Sequence, residues 1–283
     1  MPTALADGIV TRYEIFGSGP PLLLFSPGGF NGTVENWTSF GIYKRLDLLE
    51  HLQQEYTCIA FDKRESGRSG GRVEHIAWRD YAAQGAGLLD ALEVERAHLL
   101  GGCIGCSIVT AFAVAHPART SSMVLYSPAG GPRYRMIQHA RFAEHIAYVE
   151  EHGLSGVVAL AAEQDSGFSQ DPRVGPWVTV IRNDPAFAED YAQWDRERYC
   201  DLVDGMGRAL FDRDTVPGAE PQELMELAIP ALVVPGQDAS HATSGARYLE
   251  ECLPQAEYWD VPVEEQTEKT APARLLEFLR ASP

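Results

Sequence analysis

Basic residues are scarce in this sequence. It carries 23 Lys and Arg against 40 Asp and Glu, a net charge of −17 over 283 residues. Nucleic acid requires a basic face, and an anionic bilayer repels an acidic chain, so neither partner is expected. Cysteine is also sparse. Cys58, Cys103, Cys106, Cys200 and Cys252 are odd in number and irregular in spacing, which excludes a secreted disulfide framework. No apolar run approaches the length of a bilayer span. The opening MPTALADGIVTRYEIFG has no basic stretch leading into an apolar one, so no signal peptide and a cytoplasmic location are expected. Neither GSGP (17–20) nor SPGGFNG carries a phosphate-loop lysine or a G-x-G-x-x-G pattern, so no nucleotide cofactor is expected. His139 and His145 are six apart, which does not put them on one helix face, and no acidic cluster joins them, so no metal is expected. Repeats, low-complexity tracts and linkers are missing as well.

What is present is an ordinary globular balance, 45% hydrophobic and 22% charged. The length suits one large α/β domain, or a core with an inserted lid. IVTRYEIFG alternates and ends in GSGPP, which predicts an early antiparallel strand and a turn. PLLLFS, TCIAFD, AHLLGG, SMVLYS and ALVVPG are short continuous apolar runs, the mark of strands buried on both faces. Helix-length stretches separate them: WTSFGIYKRLDLLEHLQQE, YAAQGAGLLDALEV and SIVTAFAVAHP. The pattern predicts a mostly parallel sheet flanked by helices. It breaks between about Gly130 and Pro221, where strand runs give way to an aromatic-rich stretch that reads as a helical lid. Residues 1–129 and 222–283 would form the core and 130–221 the cap. AEYWDVPV is read as the last strand and APARLLEFLR as the closing helix.

Gly101-Gly102-Cys103-Ile104-Gly105 has the form G-x-C-x-G, directly after a strand and before a helix. Small residues two before and two after a nucleophile let strand and helix approach closely. The helix start behind it directs amide donors and a positive dipole at the sulfur, which should lower the thiol pKa. The Ile104 amide would be one oxyanion-hole donor.

These features resemble the α/β-hydrolase superfamily. SPGGFNG is similar to the family's loop after the third strand, which implies a second oxyanion donor at Gly29 or Phe30. FDKRESGRS resembles the family's Asp-x-Arg-Gly-x-Gly-x-Ser stretch, with Glu65 where glycine is usual. AVAHP resembles the end of the helix after the nucleophile. IPALVVPGQDASH resembles the segment that carries the family's acid, which implies that role for Asp238. The family's histidine follows the last strand, and there this chain has WDVPVEEQTEKTAP, with Gln266 at the matching place. Glutamine cannot accept the nucleophile's proton, and no histidine follows His241.

Three readings remain open. His241 acts as the base, or only supports the loop after Asp238. Glu264 or Glu265 acts as a base, its pKa raised by burial under the lid. Or the site has left acyl hydrolysis for a lyase, decarboxylase or rearrangement reaction, or for ligand binding alone. The expected function is a cysteine-nucleophile hydrolase or acyl transferase on a small apolar or aromatic ester, thioester or lactone. Cys103, Asp238 and His241 form its catalytic set, Ile104 with Gly29 or Phe30 its oxyanion hole. The expected partner is a small-molecule substrate, with a homodimer left open. Cys106 is read as a packed apolar residue, its C-x-x-C spacing with Cys103 leaving a reversible disulfide as the alternative.

Overall fold

Leu22, Leu23 and Leu24 are buried, as is every residue from Ala97 to Gly102 and from Thr120 to Tyr126. Such runs can pair only inside a sheet covered on both faces. The computed structural model, which describes residues 1–282, has such a sheet, of eight strands in the order β1-β2-β4-β3-β5-β6-β7-β8. The strands are β1 (Thr3–Ala6), β2 (Ile9–Phe16), β3 (Pro21–Phe25), β4 (Thr57–Phe61), β5 (Ala97–Gly102), β6 (Thr120–Tyr126), β7 (Ala231–Val234) and β8 (Ala256–Tyr258). β1 pairs antiparallel with β2, and β2 antiparallel with β4; all other pairings are parallel. The chain thus has the predicted α/β architecture. The four-residue edge strand β1, three of its residues outside the buried class, carried no sequence signal strong enough to predict it.

The stretch Trp37–Glu55, predicted as one helix, forms three short ones: α1 (Asn36–Ser39), α2 (Gly41–Leu46) and α3 (Leu48–Leu52). Gly41 and Asp47 both have φ of 48°, a left-handed conformation that ends a right-handed helix. α4 (Trp78–Ala91) follows β4, and α5 (Gly105–Ala115) follows β5. Between β6 and β7 lie α6 (Pro132–Glu163), α7 (Val178–Asn183), α8 (Pro185–Ala192), α9 (Arg196–Leu210) and α10 (Pro221–Met225). α6 is interrupted at Gly153, whose φ is 69°. α11 (Thr243–Cys252) and α12 (Thr270–Ala281) close the fold. No helix among the described residues is long and apolar enough to cross a membrane.

Alternation along the strands divides the core in two. Leu22, Leu24, Val124 and Leu232 pack with Trp37, Tyr43 and Phe278 on one face. Leu23, Phe25, Leu99 and Leu125 pack with Ile108, Phe112 and Leu249 on the other. Parallel strands then bring the loops after β3, β5, β6 and β7 to one edge, where a ligand crevice is expected.

Candidate active site

The turn from β5 into α5 is as tight as its glycines imply. Cys103 has φ of 55°, a strained conformation for a residue with a side chain. Its N–H donates to the Tyr126 carbonyl at 3.1 Å, and its own carbonyl accepts from Ala129 at 3.2 Å and Cys106 at 3.2 Å. The elbow is therefore tied to β6 on one side and α5 on the other. A Cβ on Gly101 would come 2.5 Å from the Gly105 carbonyl oxygen, and one on Gly102 would come 2.8 Å from the Tyr43 ring. The Cys103 side chain is buried within the edge, with 8% of the residue exposed.

The loop after β3 faces the same point. Gly28 and Gly29 have φ of 115° and 63°. The Asn36 side chain donates to the Pro27 carbonyl at 2.6 Å and the Asn31 carbonyl at 2.7 Å, and Ser66 Oγ donates to the Phe30 carbonyl at 2.8 Å. These bonds hold the loop, and the Gly29 and Phe30 amides stay out of the backbone bonding, as does that of Ile104. Asn36 and Ser66 were not picked out as site residues from sequence. Nothing in their spacing distinguishes a loop-holding polar side chain from a solvated one.

The cavity between this loop and the helices over it is lined by Gly29, Phe30, Lys63, Trp78, Tyr81 and Ile104, among others. It encloses about 220 Å³ of non-atom space, and its free centre of about 10 Å³ admits roughly one water. Its aromatic lining, Phe30, Trp78, Tyr81 and Phe211, is backed by further rings. Phe30 meets Phe168 at 5.0 Å and Phe142 at 5.6 Å, and Phe211 meets Tyr134 at 5.7 Å and Trp78 at 6.2 Å. A wider groove along Arg96, Thr120, Glu226 and Pro230 lies at the amino ends of the strands, the edge opposite Cys103.

His241 lies at the cavity edge of the sheet. The carboxylate of Asp238 accepts from the Ser240 and His241 amides at 2.8 and 3.0 Å, and both of its oxygens lie 2.9 Å from His241 Nδ1. One tight turn therefore supplies acid and imidazole together. A parallel bridge to Gly130 fixes this turn against the segment after β6. Nε2 is buried and makes no aligned hydrogen bond among the described residues. Burial alone would lower the imidazole pKa, but the neighbouring Cys103 sulfur, then the Asp238 carboxylate, raise it to about 9. The sulfur thus acts on the ring by proximity rather than through a well-directed bond. Asp238, though largely exposed, sits below the usual carboxylate range, its partial desolvation outweighed by the bond to His241 and the two amides.

A histidine whose folded pKa is raised stabilises the fold fully below its unfolded pKa and ceases to do so as pH rises through the folded value. Between about pH 6.5 and about pH 9, the wild-type unfolding free energy is expected to fall by about 1–3 kcal/mol more than that of His241→Gln. Urea melts across that window measure this directly. Parallel curves for the two proteins would rule out a charged imidazolium held by the fold.

Residues 21–172, more than half of the chain, match a family model described as the α/β hydrolase fold. The chain belongs to the α/β hydrolase fold family. Among curated proteins it resembles a dihydrolipoyllysine-residue acetyltransferase component of the acetoin cleaving system from Cupriavidus necator, 33% identical over 124 residues, covering 44% of this chain and 31% of that one. It also resembles a 2-hydroxymuconate semialdehyde hydrolase from Pseudomonas sp., 32% identical over 130 residues, covering 44% and 42%. The matched stretches thus span well under half the length of these relatives. Over nearly the whole chain the fold resembles a meta-cleavage product hydrolase from Pseudomonas fluorescens, with TM-score 0.60 at 20% identity, covering 99% of this chain and 98% of that one. An enol-lactonase from Burkholderia xenovorans gives TM-score 0.63 at 18% identity, covering 99% and 100%.

Within this α/β hydrolase fold, Gln266 is fully buried and structural. Its Oε1 accepts from the Tyr126 hydroxyl at 2.8 Å, and its Nε2 donates to the Pro235 and Val261 carbonyls at 3.0 and 3.2 Å. It fastens the turn after β8 to the ends of β6 and β7. Glu264 and Glu265 are exposed on that turn, which corrects the reading that burial would make one of them a base. Cys103 and Cys106 are both free. The Cys106 thiol donates to the Gly101 carbonyl at 3.1 Å, and its pKa is pushed well up by burial, then by the neighbouring Cys103. His145 is buried in α6, its two ring nitrogens 3.1 Å from the Arg173 carbonyl and 2.7 Å from the Tyr199 hydroxyl. Burial pulls its pKa down to about 4, so it is a neutral packing residue.

Proposed function

We propose that the protein is a hydrolase or acyl transferase with Cys103 as nucleophile, acting on small apolar or aromatic esters, thioesters or lactones. The observation that carries this reading is the place of the His241 ring, bonded through Nδ1 to Asp238, with the Cys103 sulfur among the neighbours that raise its pKa. In this reading the cysteine variant of the family has moved its histidine into the loop that already holds its acid, and Gln266 occupies the vacated place.

The roles follow from position. Cys103 Sγ attacks the carbonyl carbon as its proton passes to His241. The negative charge that develops on the carbonyl oxygen is received by the Ile104 amide and by that of Gly29 or Phe30. The tetrahedral centre collapses, the bond to the leaving oxygen or sulfur breaks, and the His241 imidazolium supplies the leaving group's proton. Water, or an acceptor thiol or alcohol, then attacks the thioester. His241 takes the acceptor's proton and the Cys103 thiolate leaves. Asp238 holds the imidazole with Nε2 toward the sulfur. The segment 130–221 serves as a lid over the core formed by 1–129 and 222–283. The partner is a small molecule in the cytoplasm.

The names of the similar proteins, a semialdehyde hydrolase and an enol-lactonase, agree with a small acyl substrate. Acid-quenching the enzyme during turnover of a 4-nitrophenyl ester, followed by peptide mass analysis, is expected to find the acyl group on the peptide bearing Cys103. Turnover that persists undiminished in Cys103→Ala would remove the covalent mechanism.

A further inference from the structure

Lys63 has no part in the chemistry above, yet it stands in the cavity. It follows β4, is 6% exposed, and lines the same space as Gly29, Phe30 and Ile104. Its ammonium lies 4.3 Å from the centre of the Tyr81 ring and 5.5 Å from that of Phe30. Such faces attract a cation, yet they leave its N–H groups unbonded. An ammonium has three donors. Here the bond to be counted is a long one, 3.4 Å to the Arg64 carbonyl. Among the described residues no carboxylate oxygen comes within 4 Å of it.

The nearest acid is already engaged. Glu65, also buried, accepts from Arg64 Nε at 3.0 and 3.1 Å and from the Arg72 amide at 3.4 Å, and Arg64 pairs on its other side with Glu74. Glu65 is thus held by Arg64, and Glu74 by Arg64 and Arg72, so neither carboxylate bonds the Lys63 ammonium directly. Burial, opposed by Glu65, brings the Lys63 pKa down to about 8, so the amine is still mostly charged at neutral pH. A buried cation with no directly bonded anion is costly, and perturbed groups of this kind cluster at functional sites.

We propose that Lys63 is the anion-recognition residue of this site, receiving a carboxylate carried on the acyl portion of the substrate. The favoured substrate is then a small ester, thioester or lactone of a dicarboxylic acid, with the free carboxylate at Lys63 and the reacting carbonyl at Ile104 and Gly29. This rests on the hydrolase reading only for the position of the reacting carbonyl. The aromatic faces of Tyr81 and Phe30 offer the ammonium no hydrogen-bond acceptor, and the low-dielectric surroundings would strengthen its pairing with a carboxylate.

Two esters of one phenol separate the possibilities: mono-4-nitrophenyl glutarate and 4-nitrophenyl valerate, which differ by a terminal carboxylate in place of a methyl. In Lys63→Met, kcat/KM for the glutarate is expected to fall about 10- to 100-fold while that for the valerate stays within about threefold. Lys63→Arg, which keeps the charge, is expected to retain most of the glutarate preference and guards against a packing defect. An equal fall for both esters, or no fall for either, overturns the assignment. Calorimetric binding of pentanoate and pentanamide to the wild type and Lys63→Met gives a readout that needs no turnover. Pentanoate binding that depends on Lys63, with neither ester hydrolysed, would sink the hydrolase reading and keep the anion site. Ester turnover indifferent to charge, with pentanoate bound no better than pentanamide, would do the reverse.

Discussion

His241→Ala is expected to lower kcat for ester turnover about 100- to 10,000-fold, with KM changed only a few-fold. The ring is bonded to Asp238 and lies near the Cys103 sulfur, so in the proposed mechanism its loss removes proton transfer in both halves of the reaction. Substrate binding in the apolar cavity does not involve it, which is why the loss should fall on kcat. Asp238→Asn should cost less. Its side chain is 64% exposed, so solvent shares its work of orienting and charging the imidazole. Gln266→Ala provides the contrast. It unpairs the Tyr126 hydroxyl and two carbonyls, so stability should drop while kcat of the folded enzyme holds. Stopped-flow turnover of one ester across these variants, with a denaturation curve for each, decides the matter. A His241→Ala enzyme with near-normal kcat would return this histidine to a supporting role.

Gly105→Ala is expected to destabilise the protein by more than about 4 kcal/mol, or to prevent its accumulation. A Cβ there would overlap the carbonyl of Phe25 on β3, a backbone atom that cannot swing aside as a side chain would. α5 would have to move off the sheet, and Cys106, Ile108 and Phe112 with it. Gly41→Ala is a suitable comparison. Its φ is 48°, but nothing lies within 4 Å of the added methyl, so only the left-handed backbone is penalised, by about 1 kcal/mol. Urea unfolding of the two variants should differ several-fold in ΔΔG. A Gly105→Ala protein of wild-type stability would mean the helix and strand are not closely apposed.

Much of this was legible in the amino acids. Continuous apolar runs identified the parallel strands because burial on both faces leaves no polar alternation. Glycines at 101 and 105 identified the elbow because only close backbone approach requires them there. The path of the α1–α3 region was not legible. Its apolar spacing suits one helix, and the break comes from Asp47 adopting a conformation that aspartate tolerates without announcing. The role of His241 was open for a different reason. A histidine three residues after an aspartate reads as a loop support as readily as a catalytic partner, and what the fold brings beside it from more than a hundred residues away is not written in its own segment. Lys63 stayed hidden because its neighbours in sequence, Arg64 and Glu65, suggest a mutually neutralised run. The pairing that excludes it exists only in three dimensions.

The near-absence of free space among Phe30, Trp78, Tyr81 and Phe211 carries its own consequence. Ligand sites for molecules of ordinary metabolite size occupy at least about 300 Å³, and this one admits little more than a water. Entry therefore requires the aromatic lining to part first, and any measured affinity is the intrinsic affinity multiplied by the fraction of molecules caught ajar. In the proposed reaction, selectivity is then set twice, once by what can pry the rings apart and again by what the pocket holds after they close.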